Sequence, residues 1–396
     1  MPDSMNAMTT TTPTIVLDLR TVQDHFPGIG RCTFHLAQAL AETAPAWRFV
    51  MLTQPGAINT RFDVTGLARW PNVRLHAVPQ AIFSPQEQIT LPRDLPPGDL
   101  VHFPYYIFPY LSRRRAIVTI YDIISHLYPA YLPSALHRAL FEITTRLALA
   151  RAAHVLTLSA SAAADLQRVY GVDPGRITVT PAAADGRFRP ASADAIHALR
   201  RRLGLPPRYV LFLGANKPHK NLLRLVEAWA KLKAQESAGA ASHAPGLAQR
   251  IGLALAGRED PRYVGIRATI SQAGLQDDIM VLGAVSEADL PVLYSGAEAF
   301  ILPSLYEGYG LPVMEAMACG AAVACSRTSS LPEVVGEDAG LLFDPTDSDE
   351  MAATLRRLLN DDARRAALQQ AGLRRAGQFT WRRTAELTLA GYEKNL

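Results

Sequence analysis

The chain is short of several things, and each shortage excludes a class of protein. Only three cysteines stand among its 396 residues. Cys32, Cys319 and Cys325 form neither a C-x-x-C pair nor a disulfide framework, so a reducing compartment, the cytoplasm, is expected. No stretch approaches the ~20 consecutive apolar residues that a membrane span needs. Zinc-finger spacing, an RNA-binding signature and long Lys/Arg tracts are all missing. Forty basic residues against thirty-six acidic ones leave a net charge of only +4, so nucleic acid is not an expected partner. The opening MPDSMNAMTTTTPT lacks the basic start and apolar core of a signal peptide. Residues 1–13 are expected to be a disordered tail, with Met5 and Met8 as alternative starts.

What is plentiful is apolar: 48% of the residues are hydrophobic and 19% charged. That is a globular balance, and the length suits two domains. Short apolar runs alternate with helix-periodic stretches. TIVLDL (14–19), RFVMLT (48–53), VRLHAV (73–78), LVHFP (100–104), AIVTIYD (116–122), HVLTLS (154–159) and RITVTP (176–181) read as buried strands. After a polar connector, DGRFRPASADA (185–195), the rhythm restarts with RYVLFLG, IGLALAG, IMVLG, AEAFILP, AAVACS and GLLFDP. A strand-then-helix rhythm predicts α/β domains built on parallel, doubly wound sheets. The first is expected over 1–190 and the second over 204–378, joined near 186–204. SAGAASHAPG (237–246) reads as a mobile loop. The segment 381–396 reads as a helix that packs back on the first domain.

The densest pattern is SLYEGYGLPVMEAMACG (304–320). It leaves one strand, passes Glu307, Gly308 and Gly310, and enters a helix near Pro312, with Glu315 in the first turn. Ligands of open parallel sheets bind beyond the C-terminal strand ends, and free N–H groups at a helix start favour phosphate. A carboxylate accepts two hydroxyl hydrogen bonds at once, as vicinal sugar hydroxyls require. The bland alternative is one dipole-favoured acid and one solvated loop acid. GANKPHKN (214–221) makes a matching turn from strand to helix, with Asn221 as a cap and Lys217 and Lys220 beside the helix start. Lys220 is suited to neutralise a diphosphate leaving group.

Taken together, S-x-x-E-G-x-G-L-P-x-x-E-A-M-A-C-G resembles the E-x7-E signature of retaining family 4 glycosyltransferases of the GT-B fold. KPHKN, DLRTVQDHFPGIGR (18–31), IVTIYDIISHLYP (117–129), VLTLSASAAADL (155–166) and SSLPEVVGEDAGLLFDP (329–345) resemble further segments of that family. The resemblance implies two Rossmann-like domains facing a central cleft. It implies that Glu315 binds the nucleotide ribose. Glu307 contacts the transferred sugar, with the backbone of Gly308, Tyr309, Gly310 and Leu311. Lys220, Lys217 and Gly214 face the diphosphate, and Gly28, Gly30 and Arg31 line the cleft from the first domain. Val285 and Ser286 lie beside the base. Tyr121-Asp122 stands where the family often has His-Asp, so Tyr121 offers a hydroxyl and Asp122 keeps the acid. Ala215 and Asn216 stand where many members carry an arginine.

Further implications are a nucleotide-sugar donor, with GDP-mannose suggested by likeness to surface-polysaccharide mannosyltransferases, and a lipid-linked saccharide acceptor. No cofactor or metal is expected. Asp347-Ser348-Asp349 is a D-x-D, but after Phe343-Asp344-Pro345 it reads as a helix start. In PSALHRALFEITTRLALARAAH (133–154), Leu136, Leu140, Ile143 and Leu147 form one stripe. The favoured reading packs it on the first-domain sheet; the other lays it, with its arginines, on an anionic membrane. Two rivals stay open: a nucleotide-sugar-binding protein without turnover, and a nicotinamide-dependent oxidoreductase, which the lack of G-x-G-x-x-G disfavours.

Overall fold

The computed structural model describes residues 12–132, 134–240 and 251–396. Every run read as a strand is one. The first seven are β1 (Thr14–Asp18), β2 (Arg48–Thr53), β3 (Val73–Ala77), β4 (Leu100–Phe103), β5 (Ala116–Thr119), β6 (His154–Thr157) and β7 (Ile177–Val179). They form one sheet in the order β3-β2-β1-β4-β5-β6-β7. The other six are β8 (Arg208–Leu213), β9 (Ile251–Ala256), β10 (Ile279–Gly283), β11 (Ala299–Leu302), β12 (Ala322–Ser326) and β13 (Leu341–Phe343). Their order is β10-β9-β8-β11-β12-β13. All pairings in both sheets are parallel. Strands covered by helices on both faces must be apolar throughout. Hence Ile15, Val16 and Leu17 are fully buried in β1, as are Ala299, Phe300, Ile301 and Leu302 in β11.

Local chemistry sets the helix limits. Ser159, Ser192, Asp347 and Thr380 each accept a backbone N–H at a helix start. Asp347 receives those of Asp349 and Glu350, so the D-x-D is a cap. Gly171 and Gly204 end helices at φ 66° and 65°, where a side chain would be strained.

The connector runs into a helix, Ala193–Leu203, and Arg202 on it pairs with Asp289 of the second domain. Three expectations need correction. Residues 237–240 are not loop but the end of the helix Leu222–Ala240; 241–246 lie outside the described residues, as do 1–11 of the tail. Glu315 is the fifth residue of the helix Leu311–Ala318, past its first turn. The helix Ala135–Arg151 buries Phe141, Thr145, Ala148 and Leu149, whereas Leu136, Leu140, Ile143 and Leu147 are 66, 49, 55 and 42% exposed. Periodicity marks a stripe without saying which stripe faces inward, and here Phe141 and Leu149, with the smaller Thr145 and Ala148, took the inner side.

The chain crosses between the two sheets twice. It passes forward through 181–192 and back at 378–380. The last helix, Trp381–Glu393, lies against the first domain. Thr384 donates to the Pro181 carbonyl at 2.5 Å. The Tyr392 hydroxyl sits 2.6 Å from Nδ1 of buried His102. Trp381 stacks on His35 with ring centres 5.4 Å apart.

Candidate active site in the interdomain cleft

Each strand order reverses once, between β1 and β4 and between β8 and β11. These are the points where loops diverge above a sheet and leave room for a ligand. The loop from Gly214 to Asn221 follows β8, and the loop from Pro303 to Gly310 follows its neighbour β11. The two motifs singled out in the sequence therefore emerge side by side.

They are bonded there. Lys220 Nζ donates to Glu307 Oε1 at 2.6 Å, and Ser304 Oγ reaches the same oxygen at 2.5 Å. The Glu307 amide donates to Ser329 Oγ, and Ser330 Oγ donates to the carbonyls of Glu307 and Tyr309. Glu307 is only 8% exposed, so it is not a solvated loop acid. Gly310 has φ +105°, the conformation that turns the loop into the helix Leu311–Ala318. Gly214 lies where Gly257 must also be small: a Cβ on Gly257 would collide with the Gly214 carbonyl. Lys217 faces the Tyr131 ring at 5.8 Å, and burial lowers its pKa, helped by Lys220. Asn221 precedes its helix, yet its amide donates to the carbonyls of Pro303 and Pro345.

Glu315 meets the first domain. Arg31 Nη1 donates to Glu315 Oε1, and Arg31 Nη2 to Glu287 Oε2 at 2.5 Å. Tyr294 donates to the other Glu315 oxygen at 3.0 Å. Burial raises the Glu315 pKa, and Arg31 and Tyr294 pull it back. Glu287 also lies within 3.6 Å of Arg61 and 3.5 Å of Arg187. Arg187 holds Asp185 as well; although burial opposes it, the bonds from His35 and Arg187 keep that carboxyl well below its usual range. Val285 and Ser286 adjoin this network. Val285 packs on the core, and Ser286 donates to Asp289 at 2.6 Å.

At Gly308 the backbones of the two domains approach closely. A Cβ there would lie 2.5 Å from the Tyr121 carbonyl oxygen and 2.7 Å from Cβ of Asp122. Ser159 of the first domain donates to the Gly308 carbonyl, and Tyr309 donates to that of Ala182. The Tyr121 hydroxyl is 3.5 Å from Thr33 Oγ1. Asp122 Oδ1 accepts the Ile124 amide, and burial raises its pKa, with Glu307 adding to the rise. Gly28, Tyr121, Asp122 and Lys217 line a cavity of about 390 Å³ walled by Phe26, Tyr105, Tyr106 and Phe141. Gly30 instead packs on backbone: a Cβ there would lie 2.9 Å from the Thr21 carbonyl oxygen.

The cleft thus gathers Arg31, Asp122, the pair Lys217 and Lys220, and the pair Glu307 and Glu315, from four segments far apart in sequence. Reading the sequence missed Glu287, Tyr294, Ser304, Ser329 and Ser330. A serine three residues before Glu307 was visible in the motif; the partners of Arg31 were not.

Comparison with known proteins agrees with this architecture. Residues 27–186 match the family model described as Glycosyltransferase Family 4, and residues 197–375 match that of Glycosyl transferases group 1. The O-antigen chain mannosyltransferase B of Escherichia coli is 32% identical over 295 residues, 74% of either chain. The serotype-specific mannosyltransferase WbdA of E. coli is 31% identical over 251 residues, 62% of this chain and 29% of that longer one. Among solved structures, HepE of Anabaena with UDP and glucose superposes with a TM-score of 0.72 at 19% identity, covering 97% of this chain and all of that one. The sucrose-phosphate synthase of Thermosynechococcus elongatus gives 0.70 at 22% identity, covering 96% and 98%. At such identities the superpositions show the fold, which is GT-B. The family models and the E. coli relative show more: this chain is a glycosyltransferase and belongs to glycosyltransferase family 4.

Proposed function

We propose that the protein transfers a hexose, mannose from GDP-mannose, to a lipid-linked saccharide of surface-polysaccharide assembly, with retention and without a metal. The observation that carries this reading is the pair of buried carboxylates, Glu307 and Glu315, each bonded to a cation at the switch point of the second sheet. The second domain, 204–378, holds the donor, and the first, 1–190, holds the acceptor. Glu315 takes the ribose hydroxyls, Glu307 the hexose hydroxyls, and Lys220 with Lys217 the diphosphate between them. The bond from the anomeric carbon to the diphosphate breaks while an acceptor oxygen bonds to that carbon on the same face. The acceptor proton passes to the departing phosphate oxygen. Charge stabilisation and alignment then supply the rate. Asp122, beside the cavity of the first domain, orients the acceptor hydroxyl. Mannose as the sugar follows the mannosyltransferase relatives. The buried, free thiols of Cys32, Cys319 and Cys325 support a reducing, cytoplasmic setting.

A thermal-shift panel with GDP, UDP, ADP, TDP and NADH tests the reading. A ligand bound only by the folded state raises its melting temperature. GDP should raise it for wild type and much less for Glu315→Ala. A shift with NADH alone, or with no diphosphate, overturns the proposal.

A further inference from the structure

We infer that the outward face of the helix Ala135–Arg151 docks on an anionic lipid bilayer. Leu136, Leu140, Ile143 and Leu147 lie at spacings of four, three and four residues, so they share one side of the helix. That side is opposite Phe141, Thr145, Ala148 and Leu149, which attach the helix to the domain. The four are well exposed, and the stripe runs ~16 Å along the axis at 1.5 Å per residue. Arg151 extends it by donating to the carbonyls of Tyr110 and Ser112 at 3.0 and 2.9 Å, which fixes the 80%-exposed Leu111 beside the last turn. A soluble domain does not ordinarily hold four large aliphatic side chains in water on one helix face, with a fifth exposed on the adjoining loop.

The charge around the stripe selects its occupant. Arg138 and Arg146 on the helix, and Arg113 and Arg115 beside Leu111, are exposed. The helix carries one acid, Glu142, which is bonded to His126 and lies 3.8 Å from Arg146. A second copy joined by a two-fold axis would set arginines against arginines. An acidic membrane surface complements both the cations and the aliphatic row. The arrangement also suits the proposed acceptor, the one point here that rests on that reading: Phe141, on the inner side, meets Tyr106 edge-on at 5.1 Å in the wall of the cavity beside Asp122. A bilayer on the outer side then lies about one helix diameter, ~10 Å, from that cavity.

The test is flotation of the full chain with vesicles of phosphatidylglycerol and phosphatidylethanolamine, and with neutral phosphatidylcholine vesicles. Wild type should float with the anionic vesicles, weakly with neutral ones, and less as salt rises. Leu140→Glu with Ile143→Glu should weaken anionic binding at least tenfold. Arg113→Ala with Arg115→Ala should weaken it and flatten the salt dependence. Melting temperature and the GDP shift, measured on the same variants, should stay at wild-type values, so a failure of docking is separable from a failure of the functional reading. Equal binding by wild type and the double glutamate variant overturns the inference. So does absence of binding by wild type, or a wild-type dimer in sedimentation equilibrium that the glutamates dissolve.

Discussion

Replacing Arg31 by methionine keeps most of the side-chain volume and removes the cation that joins the domains. Both side chains of the Arg31–Glu315 pair are nearly out of water, at 8 and 6% exposure. Deleting one partner of a buried pair costs about 3–5 kcal/mol, because the other charge is left without compensation. Here the pair spans a cleft, so parting of the domains lets water reach Glu315, and the lower end, ~3 kcal/mol, applies. At ~2–4 °C per kcal/mol for a domain of 150–250 residues, the second domain should melt about 6–12 °C lower. The deficit should depend on pH with a definite sign. Burial already holds the Glu315 carboxyl above its ordinary value of 4.5, against the pull of Arg31. Without Arg31 it rises further. An acid with a raised folded pKa costs nothing below its unfolded value and costs progressively more as pH climbs through the folded one. Calorimetry at pH 5 and pH 8 should therefore find the larger gap between wild type and Arg31→Met at pH 8. An equal gap at both, or none at pH 8, would refute the account of Glu315 as a buried carboxyl whose ionisation burial opposes and Arg31 favours.

Other outcomes follow from single contacts. Lys220→Ala should lower kcat by about 10²–10³, the usual loss when one group opposing developing charge is removed; initial rates with GDP-mannose read this out, and a loss below threefold would count against Lys220. Gly308→Ala puts a methyl group into the Tyr121 carbonyl and Asp122. It should cut turnover while the GDP thermal shift survives, because the clash lies between the domains and the proposed nucleotide site sits on one of them. His102 is buried, and burial pushes its pKa down to about 3. A base with a depressed folded pKa costs stability as pH falls from its unfolded 6.5 towards that value. Wild type should therefore lose stability across that window at up to ~1.4 kcal/mol per pH unit, and urea melts of His102→Gln should show a flatter profile.

The thirteen strands among the described residues were legible because double burial demands an unbroken apolar run, and such runs stand out in a single sequence. Glu307, Glu315 and Lys220 were legible for a different reason: the loop that presents them is short, and its acids, glycines and proline stand at fixed spacing. Arg31 was readable as a cleft residue, but not as the partner of Glu315, which is 284 positions away. Only the approach of two domains creates that bond. Glu287 was invisible on the same ground, since its arginines come from three separate segments of the first domain and connector. The leucine stripe of Ala135–Arg151 shows the limit of periodicity. A helix with two usable sides has one pattern and two orientations, and the choice was made by what fits beneath it.

The double crossing of the chain has a mechanical consequence. A body hung from one strand can swivel in any direction. Here the outgoing segment and the returning one are fastened to each other through Thr384 on Pro181, and Trp381 anchors the return against His35 of the first domain. Two adjacent leaves of chain act as the pin of a door. They leave one easy rotation and stiffen twist and slide, so the cleft has a preferred axis about which to widen and narrow.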